Sequence, residues 1–161
     1  MRSVSHSNDN SRFLFSEITY ICLHFKMISH VEHIGIAVKD LKKSTELFSC
    51  LLGISPYKSE IVETEGVETV FFQVGQTKIE LLGSIKPDSA IAKFLEKHGE
   101  GIHHIAFATD DIHQELQRLE NASFQLIHKT PKQGADNKQI AFLHPKSTQS
   151  VLVELCMDTN Q

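Results

Sequence analysis

A short pattern that occurs twice constrains this chain more than any other feature of its sequence. The stretch from His104 to Ile112 aligns without a gap with the stretch from His33 to Leu41. Each copy opens with a histidine, has a small residue two positions later, and carries an aspartate where a helix would begin. A repeat of this size indicates two copies of one supersecondary unit. We predict that the two histidines meet across a pseudo-two-fold axis and share one metal ion.

Hydrophobic alternation, turn residues and helix caps extend each copy into a strand, a helix and three further strands. The first module contains a strand over 31–38, a helix capped by Asp40, and strands near 57–63, 67–74 and 77–82. The second contains a strand from Ile102, a helix capped by Asp111, and strands near 124–128, 139–143 and 150–156. A short helix over 90–98 follows the linker between the modules. The predicted fold class is therefore α+β, built from two βαβββ modules.

The domain prediction is a single domain over 27–157, made of modules 28–85 and 100–157. Residues 1–26 mix polar residues with short apolar clusters, and we interpret them as a disordered or mis-assigned N-terminal extension. The polar stretch 132–137 contains Gly134 and is predicted to be a mobile loop of the kind that carries ligand contacts.

Bulk composition excludes several classes of function. The net charge of −4 comes without a basic stripe, so we expect no nucleic-acid partner. No apolar run is long enough to cross a bilayer, so we expect no membrane association. The cysteines, Cys22, Cys50 and Cys156, are far apart and form no CxxC pair. This usage favours a reducing compartment, either the cytoplasm or, in a eukaryote, the mitochondrial matrix.

Each module also ends in a strand with one carboxylate among apolar neighbours. Glu80 follows His33, and Glu154 follows His104, at almost the same distance along the chain. An unpaired glutamate is rarely buried, because desolvating its charge is costly, and a divalent metal would offset that cost. Two imidazoles and two carboxylates suit a six-coordinate first-row ion with positions left for substrate. Alternation places His103 on the opposite face from His104, which makes it the weaker ligand candidate, and places Cys156 on the face of Glu154.

These segments resemble the vicinal oxygen chelate superfamily and, within it, the methylmalonyl-CoA epimerases. The resemblance covers roughly residues 28–157, and these segments carry it: 31–38, 77–82, 90–95, 101–106, 140–147 and 151–155. It implies a cup-shaped mixed sheet, usually in a homodimer. It also implies that His33, His104 and Glu154 are metal ligands and that Glu80 occupies the fourth ligand position, which holds Gln in some epimerases and Glu in others.

The implied activity is epimerisation of an acyl-CoA thioester, methylmalonyl-CoA, by proton abstraction α to the thioester. We take Glu154 as the general base. The family has a second proposed base, for which Glu63, Glu65 and Glu68 remain alternatives. The metal is cobalt, manganese, nickel or zinc, since such ligands suit all four. Two alternative functions stay open: a lactoylglutathione lyase (glyoxalase I), which uses the same ligand set, and a non-catalytic module that binds a small molecule.

Overall fold

A computed structural model describes residues 28–159. Its strands are β1 (Ile28–Val38), β2 (Lys58–Val62), β3 (Val67–Val74), β4 (Thr77–Ser84), β5 (Gly101–Thr109), β6 (Lys132–Gln133), β7 (Lys138–Leu143) and β8 (Val153–Asp158). Its helices are α1 (Leu41–Leu52), α2 (Ala90–His98) and α3 (Ile112–Asn121), with a 3-10 turn at Pro145–Ser147. No helix in this part of the chain is long and apolar enough to cross a membrane. The predicted extension over 1–26 lies outside the described residues.

All eight strands belong to one mixed sheet, in the order β2-β3-β4-β1-β5-β8-β7-β6. The two repeat strands, β1 and β5, lie antiparallel at its centre. Each pairs on its other side with the last strand of its own module, since β1 lies parallel to β4 and β5 lies parallel to β8. The sheet therefore has the pseudo-two-fold arrangement that the repeat predicts, and the α+β, two-module fold class is confirmed.

Helices α1 and α3 each cover the outer face of one half of the sheet, and α2 packs at one end of the opposite face. Helix α1 begins at Asp40, whose side chain accepts a hydrogen bond from the Lys43 backbone N–H, and α3 begins in the same way at Asp111. The apolar side of α1 packs on β1, β3 and β4, and that of α3 packs on β7 and β8. Helix α2 instead places Ile91 against Ala37, Val67 and Leu82 of the first module.

Polar contacts show that the sheet curls until its two ends meet. The side chain of Asp136, in the turn after β6, accepts a hydrogen bond from the Tyr57 hydroxyl at 3.0 Å. It also lies 3.2 Å from Lys58 Nζ on β2 and 2.8 Å from Lys78 Nζ on β4. Since β2 and β6 are the opposite edges of the sheet, these contacts close the cup that the resemblance implies. The segment predicted to be a mobile loop is thus held across this seam by charged contacts.

The strand predicted at 124–128 is wrong. In this segment only Leu126 forms an isolated bridge, to Leu143, and the extra strand of the second module is β6 instead. Phe124 and Leu126 are partly buried against the core cluster of α3, while Gln125 and Ile127 are exposed. The alternation that predicts a strand therefore arises from an extended segment packing on the core, without a regular ladder.

Candidate metal centre and active site

The four predicted ligands meet on the open face of the sheet. The Nε2 atoms of His33 and His104 lie 2.9 Å apart. Glu80 Oε2 lies 3.3 Å from His33 Nε2 and 3.5 Å from His104 Nε2. Glu154 lies 3.9 Å and 3.4 Å from the same two nitrogens. All four side chains are buried.

Strand register explains why residues far apart in sequence meet here. Gly35 on β1 is flanked by Glu80 on β4 and by His104 on β5. In the other module, Ala106 on β5 is flanked by Glu154 on β8 and by His33 on β1. The small residue of each repeat therefore lies between a carboxylate of its own module and the histidine of the other.

This geometry corrects one expectation about Gly35. Sequence alternation predicts that its missing side chain leaves room beside His33 of the same strand. In the structure a Cβ at Gly35 would lie 2.6 Å from both ring nitrogens of His104. The space therefore belongs to the histidine contributed by the other module.

We expect Gly35→Ala to displace the His104 ring and destabilise the fold by about 1–3 kcal/mol, as overpacking of a filled site does. It should also weaken Co²⁺ binding. Urea unfolding and calorimetric Co²⁺ titration measure the two effects. Gly83→Ala on β4 is the matched control, because its Cβ would lie 3.1 Å from the Leu41 Cβ and its three nearest atoms all belong to Leu41. Unchanged Co²⁺ binding in Gly35→Ala would contradict the prediction.

A β-bulge precedes each of the two histidines. Between His104 and Ile102 the ladder advances two residues on β5 but only one on β1, from Gly35 to Ile36, so His103 is the extra residue. The equivalent irregularity on β1 makes Glu32 the extra residue before His33. Bulges suspend the strict alternation of side chains. The prediction that His103 points away from His104 is wrong for this reason, since their Nδ1 atoms lie 3.0 Å apart.

Residues of both modules line a cavity of about 320 Å³ beside these side chains. One part of its wall is polar and includes Glu32, Lys78, Asp136 and Lys138. Apolar residues form the remainder, among them Val62, Val67, Leu82, Ile91 and Leu152. A mostly apolar concave site with a few converging polar groups is typical of a small-molecule pocket.

Comparison with known proteins identifies the family. The family described as the Glyoxalase/Bleomycin resistance protein/Dioxygenase superfamily matches residues 32–142. The chain belongs to this superfamily. The match includes most of β1 and all of β5, and so it includes both histidines of the site.

Individual members of the glyoxalase superfamily are similar over most of the chain. The uncharacterized protein YqjC of Bacillus subtilis is 43% identical over 129 residues, which cover 80% of this chain and 92% of that protein. The mitochondrial methylmalonyl-CoA epimerase of Dictyostelium discoideum is 40% identical, over 80% of this chain and 78% of its own. A solved structure of a Streptomyces coelicolor methylmalonyl-CoA epimerase variant, in complex with 2-nitronate-propionyl-CoA, superposes with a TM-score of 0.80 at 32% identity. The superposition covers 83% of this chain and 96% of the Streptomyces chain. The resemblance predicted from the sequence is confirmed.

The residues of this superfamily member fit a divalent cation. A carboxylate oxygen of Glu154 and ring nitrogens of His33 and His104 all lie within 4.8 Å of one another. Glu80 lies outside that set of three but contacts both histidines. Within residues 28–159, the ion pairs of Glu80 and Glu154 are with these histidines alone. Two buried carboxylates that face only imidazoles form a mixed nitrogen and oxygen donor set suited to such an ion.

The two carboxylates predicted to be ligands, Glu80 and Glu154, differ electrostatically although both are buried. Burial raises the pKa of Glu154 above its usual value, more than the nearby histidines lower it. Burial would also raise the pKa of Glu80, but its hydrogen bond with His104 and the charge of His33 lower it below the usual range. Glu154 is therefore the stronger proton acceptor of the pair.

The histidines also differ. Burial would lower the pKa of His33, but Glu154, its hydrogen bond with Glu32, and Glu80 raise it to about 9. Burial and the charge of His104 lower the pKa of His103 to about 4. The Nδ1 atom of His33 thus contacts the carboxylate of Glu32, whereas the Nδ1 atom of His104 contacts the neutral imidazole of His103.

Sequence reasoning missed the charged residues around Glu32. Lys78 was detectable, because it lies two residues before Glu80 and so on the same strand face. Glu32 and Lys138 gave no such signal, since alternation assigned Glu32 to the other face and a buried lysine is rare.

Of the three glutamates left open as a second base, Glu65 lines the cavity and Glu63 and Glu68 do not. Cys156 is buried beside the site, where its thiol donates to the Phe107 carbonyl at 3.4 Å.

Proposed function

We propose that the protein is a methylmalonyl-CoA epimerase, which interconverts the (R) and (S) epimers by moving the proton α to the thioester. The convergence of His33, His104, Glu80 and Glu154 at one end of a shared cavity carries this proposal. The activity named for the Dictyostelium and Streptomyces relatives supports it.

The four residues are proposed to hold one divalent cation, either cobalt, manganese, nickel or zinc. When bound, such an ion stabilises as a Lewis acid the negative charge that develops on the thioester and carboxylate oxygens. Glu154 is proposed to remove the proton, because its burial makes it the more basic of the two carboxylates. The apolar cavity wall limits water access and so strengthens the electrostatic effect of the site.

The cavity volume indicates which part of the substrate it accepts. At about 320 Å³ it lies near the lower limit for small-molecule sites. It therefore suits the acyl group and thioester, while the remainder of the coenzyme A extends outside. The partner proposed for this site is accordingly an acyl-CoA thioester.

Measuring α-proton exchange tests the function directly. The metal-loaded protein is incubated in D₂O with (S)-methylmalonyl-CoA, and deuterium incorporation and appearance of the (R) epimer are followed together. A parallel assay with methylglyoxal and glutathione tests the lactoylglutathione lyase alternative. We expect metal-dependent exchange in the first assay and no turnover in the second. The absence of exchange in metal-loaded protein would overturn the proposal.

Glu65 is proposed as the second proton-transfer group, serving the face of the substrate opposite Glu154. It lies in the β2–β3 turn, lines the cavity, and pairs with Lys132 Nζ at 2.6 Å. Inversion needs a proton removed from one face and another delivered to the opposite face, so one carboxylate cannot serve both.

We therefore expect Glu65→Gln to slow epimerisation by about 10²–10⁴-fold, the contribution of a positioned acid or base. Deuterium exchange should persist in only one of the two epimers. Glu63→Gln is the matched control, since Glu63 lies in the same turn but is exposed and outside the cavity wall. Equal epimerisation rates in the two variants would remove Glu65 from the mechanism.

Assembly and location complete the proposal. Leu47, Leu51 and Ile54 form an exposed apolar stripe along α1 and beyond it, with Leu51 71% exposed, which supports a homodimer. Analytical ultracentrifugation measures the oligomeric state directly.

The free cysteines Cys50 and Cys156 support the cytoplasm as the compartment, or the mitochondrial matrix in a eukaryote, as named for the Dictyostelium relative. Residues 27–157 are proposed to form one domain.

A further inference from the structure

The carboxylate of Glu32 faces the ligand histidine next to it in sequence. Adjacent residues of a regular strand point to opposite faces. Here the ladder advances from Val31 to His33 on β1 while it advances only from Phe107 to Ala106 on β5. Glu32 is the extra residue of this bulge, and its Oε2 lies 2.6 Å from His33 Nδ1. Both side chains are buried, with Glu32 5% and His33 7% exposed.

The other oxygen of Glu32 is held by two lysines. Its Oε1 accepts a hydrogen bond from Lys78 Nζ and lies 3.1 Å from Lys138 Nζ. Lys78 is held in turn by Asp136, at 2.8 Å, across the seam of the sheet. The carboxylate is therefore fixed in orientation, and its buried charge is compensated. One of its oxygens is left to face the imidazole.

This arrangement determines which nitrogen of His33 can act as a donor atom. A carboxylate at Nδ1 holds a proton on that nitrogen and leaves the lone pair on Nε2. His33 Nε2 is the atom that meets His104, Glu80 and Glu154. We propose that Glu32 is a positioning residue that fixes the ring orientation and tautomer of His33 for cation binding. The inference rests on the proposed metal centre.

The equivalent bulge in the second module makes the two histidines unequal. His103 occupies the position of Glu32 there, and its Nδ1 lies 3.0 Å from His104 Nδ1. His103 is held by its edge-on contact with the Phe94 ring, at a centroid distance of 4.9 Å. It places an imidazole where Glu32 places a carboxylate. Glu32 makes His33 the stronger donor of the pair.

Glu32→Gln tests this role with little change in shape. Co²⁺ is the probe, because its affinity can be measured by calorimetry and its visible absorption reports the ligand field. We expect the variant to bind Co²⁺ about 10–100-fold more weakly than the native protein, as removal of a residue that orients a metal ligand does. The Co²⁺ absorption bands should also shift. Glu68→Gln is the matched control, because Glu68 lies on β3 outside the cavity wall, and it should leave both measurements unchanged.

The outcomes separate this role from a structural one. A structural role alone would lower the urea midpoint of the metal-free variant and leave Co²⁺ affinity and absorption as in the native protein, which would overturn the inference. If native protein and His33→Ala both fail to bind Co²⁺, the proposed metal centre fails and this inference fails with it. If native protein binds Co²⁺ and Glu32→Gln binds it equally well, the role of Glu32 alone is overturned.

A measurement on the native sequence keeps the test independent of whether the variant folds. Zn²⁺-loaded protein with ¹⁵N-labelled histidine is examined by long-range nitrogen–proton correlation NMR. We expect the His33 proton on Nδ1, with a chemical shift moved downfield by its hydrogen bond to the Glu32 carboxylate. A proton on Nε2 would overturn the inference.

Discussion

Replacing Glu154 with glutamine is expected to reduce deuterium exchange into the methylmalonyl-CoA epimer that Glu154 deprotonates by about 10²–10⁴-fold, the range for loss of a general base. The amide keeps the shape of the side chain and a carbonyl oxygen, but it cannot accept the α-proton. Burial raises the pKa of Glu154, so the native carboxylate is a stronger base than an exposed glutamate. Exchange is followed by mass spectrometry of the thioester with metal-loaded protein.

Glu80→Gln is the matched control, because Glu80 occupies the symmetric position on β4 and is equally buried. Its pKa is lowered, since the histidines it contacts favour its anionic form, and this makes it the poorer base. We expect the Glu80 variant to keep most of the exchange activity when saturated with metal. Equal losses in the two variants, at equal metal occupancy, would contradict the assignment of Glu154 as base.

Replacing His104 with alanine is expected to lower Co²⁺ affinity by more than about 100-fold, the upper limit for changes outside the ligand set. Its Nε2 lies within 3.5 Å of His33, Glu80 and Glu154, so no other side chain of the cluster can take its place without moving. His33→Ala should have an effect at least as large, because His33 occupies the symmetric position and is supported by Glu32. Calorimetric titration of the folded variants provides the measurement.

The control for this change is His113→Ala, an exposed histidine on α3. It should bind Co²⁺ like the native protein. Circular dichroism shows whether each variant keeps its fold, so lost binding can be separated from lost structure. Native-like binding in folded His104→Ala protein would mean that the cation, if bound, lies elsewhere.

Much of this architecture could be predicted from the repeat. Duplication of the stretch that begins at His33 or His104 predicts that the two histidines meet across a pseudo-two-fold axis, and the repeated spacing to Glu80 and Glu154 predicts which carboxylates join them. These inferences need only strand alternation and symmetry. They succeed because β4 and β8 occupy equivalent places beside the repeat strands.

What could not be predicted depends on departures from regular geometry. One β-bulge in β1 directs Glu32 toward the site, and another in β5 does the same for His103, although strict alternation assigns both residues to the opposite face. No residue near either bulge indicates it in the sequence. The seam contacts of Asp136 join residues that are distant in sequence, so only the curl of the sheet reveals them. The segment at 124–128 has a strand-like pattern for another reason, since it packs on the core without a ladder.

The paired bulges have a consequence for the ancestry of this chain. A distortion that recurs at the same place in both halves is most simply explained if a single ancestral half already had it before duplication. Each half contributes one histidine and one carboxylate, which is half of the proposed four-ligand set. Two separate ancestral chains could have completed it by pairing their first strands antiparallel, as β1 and β5 do now. In the single chain the two halves differ at this place, with an acid before one histidine and an imidazole before the other.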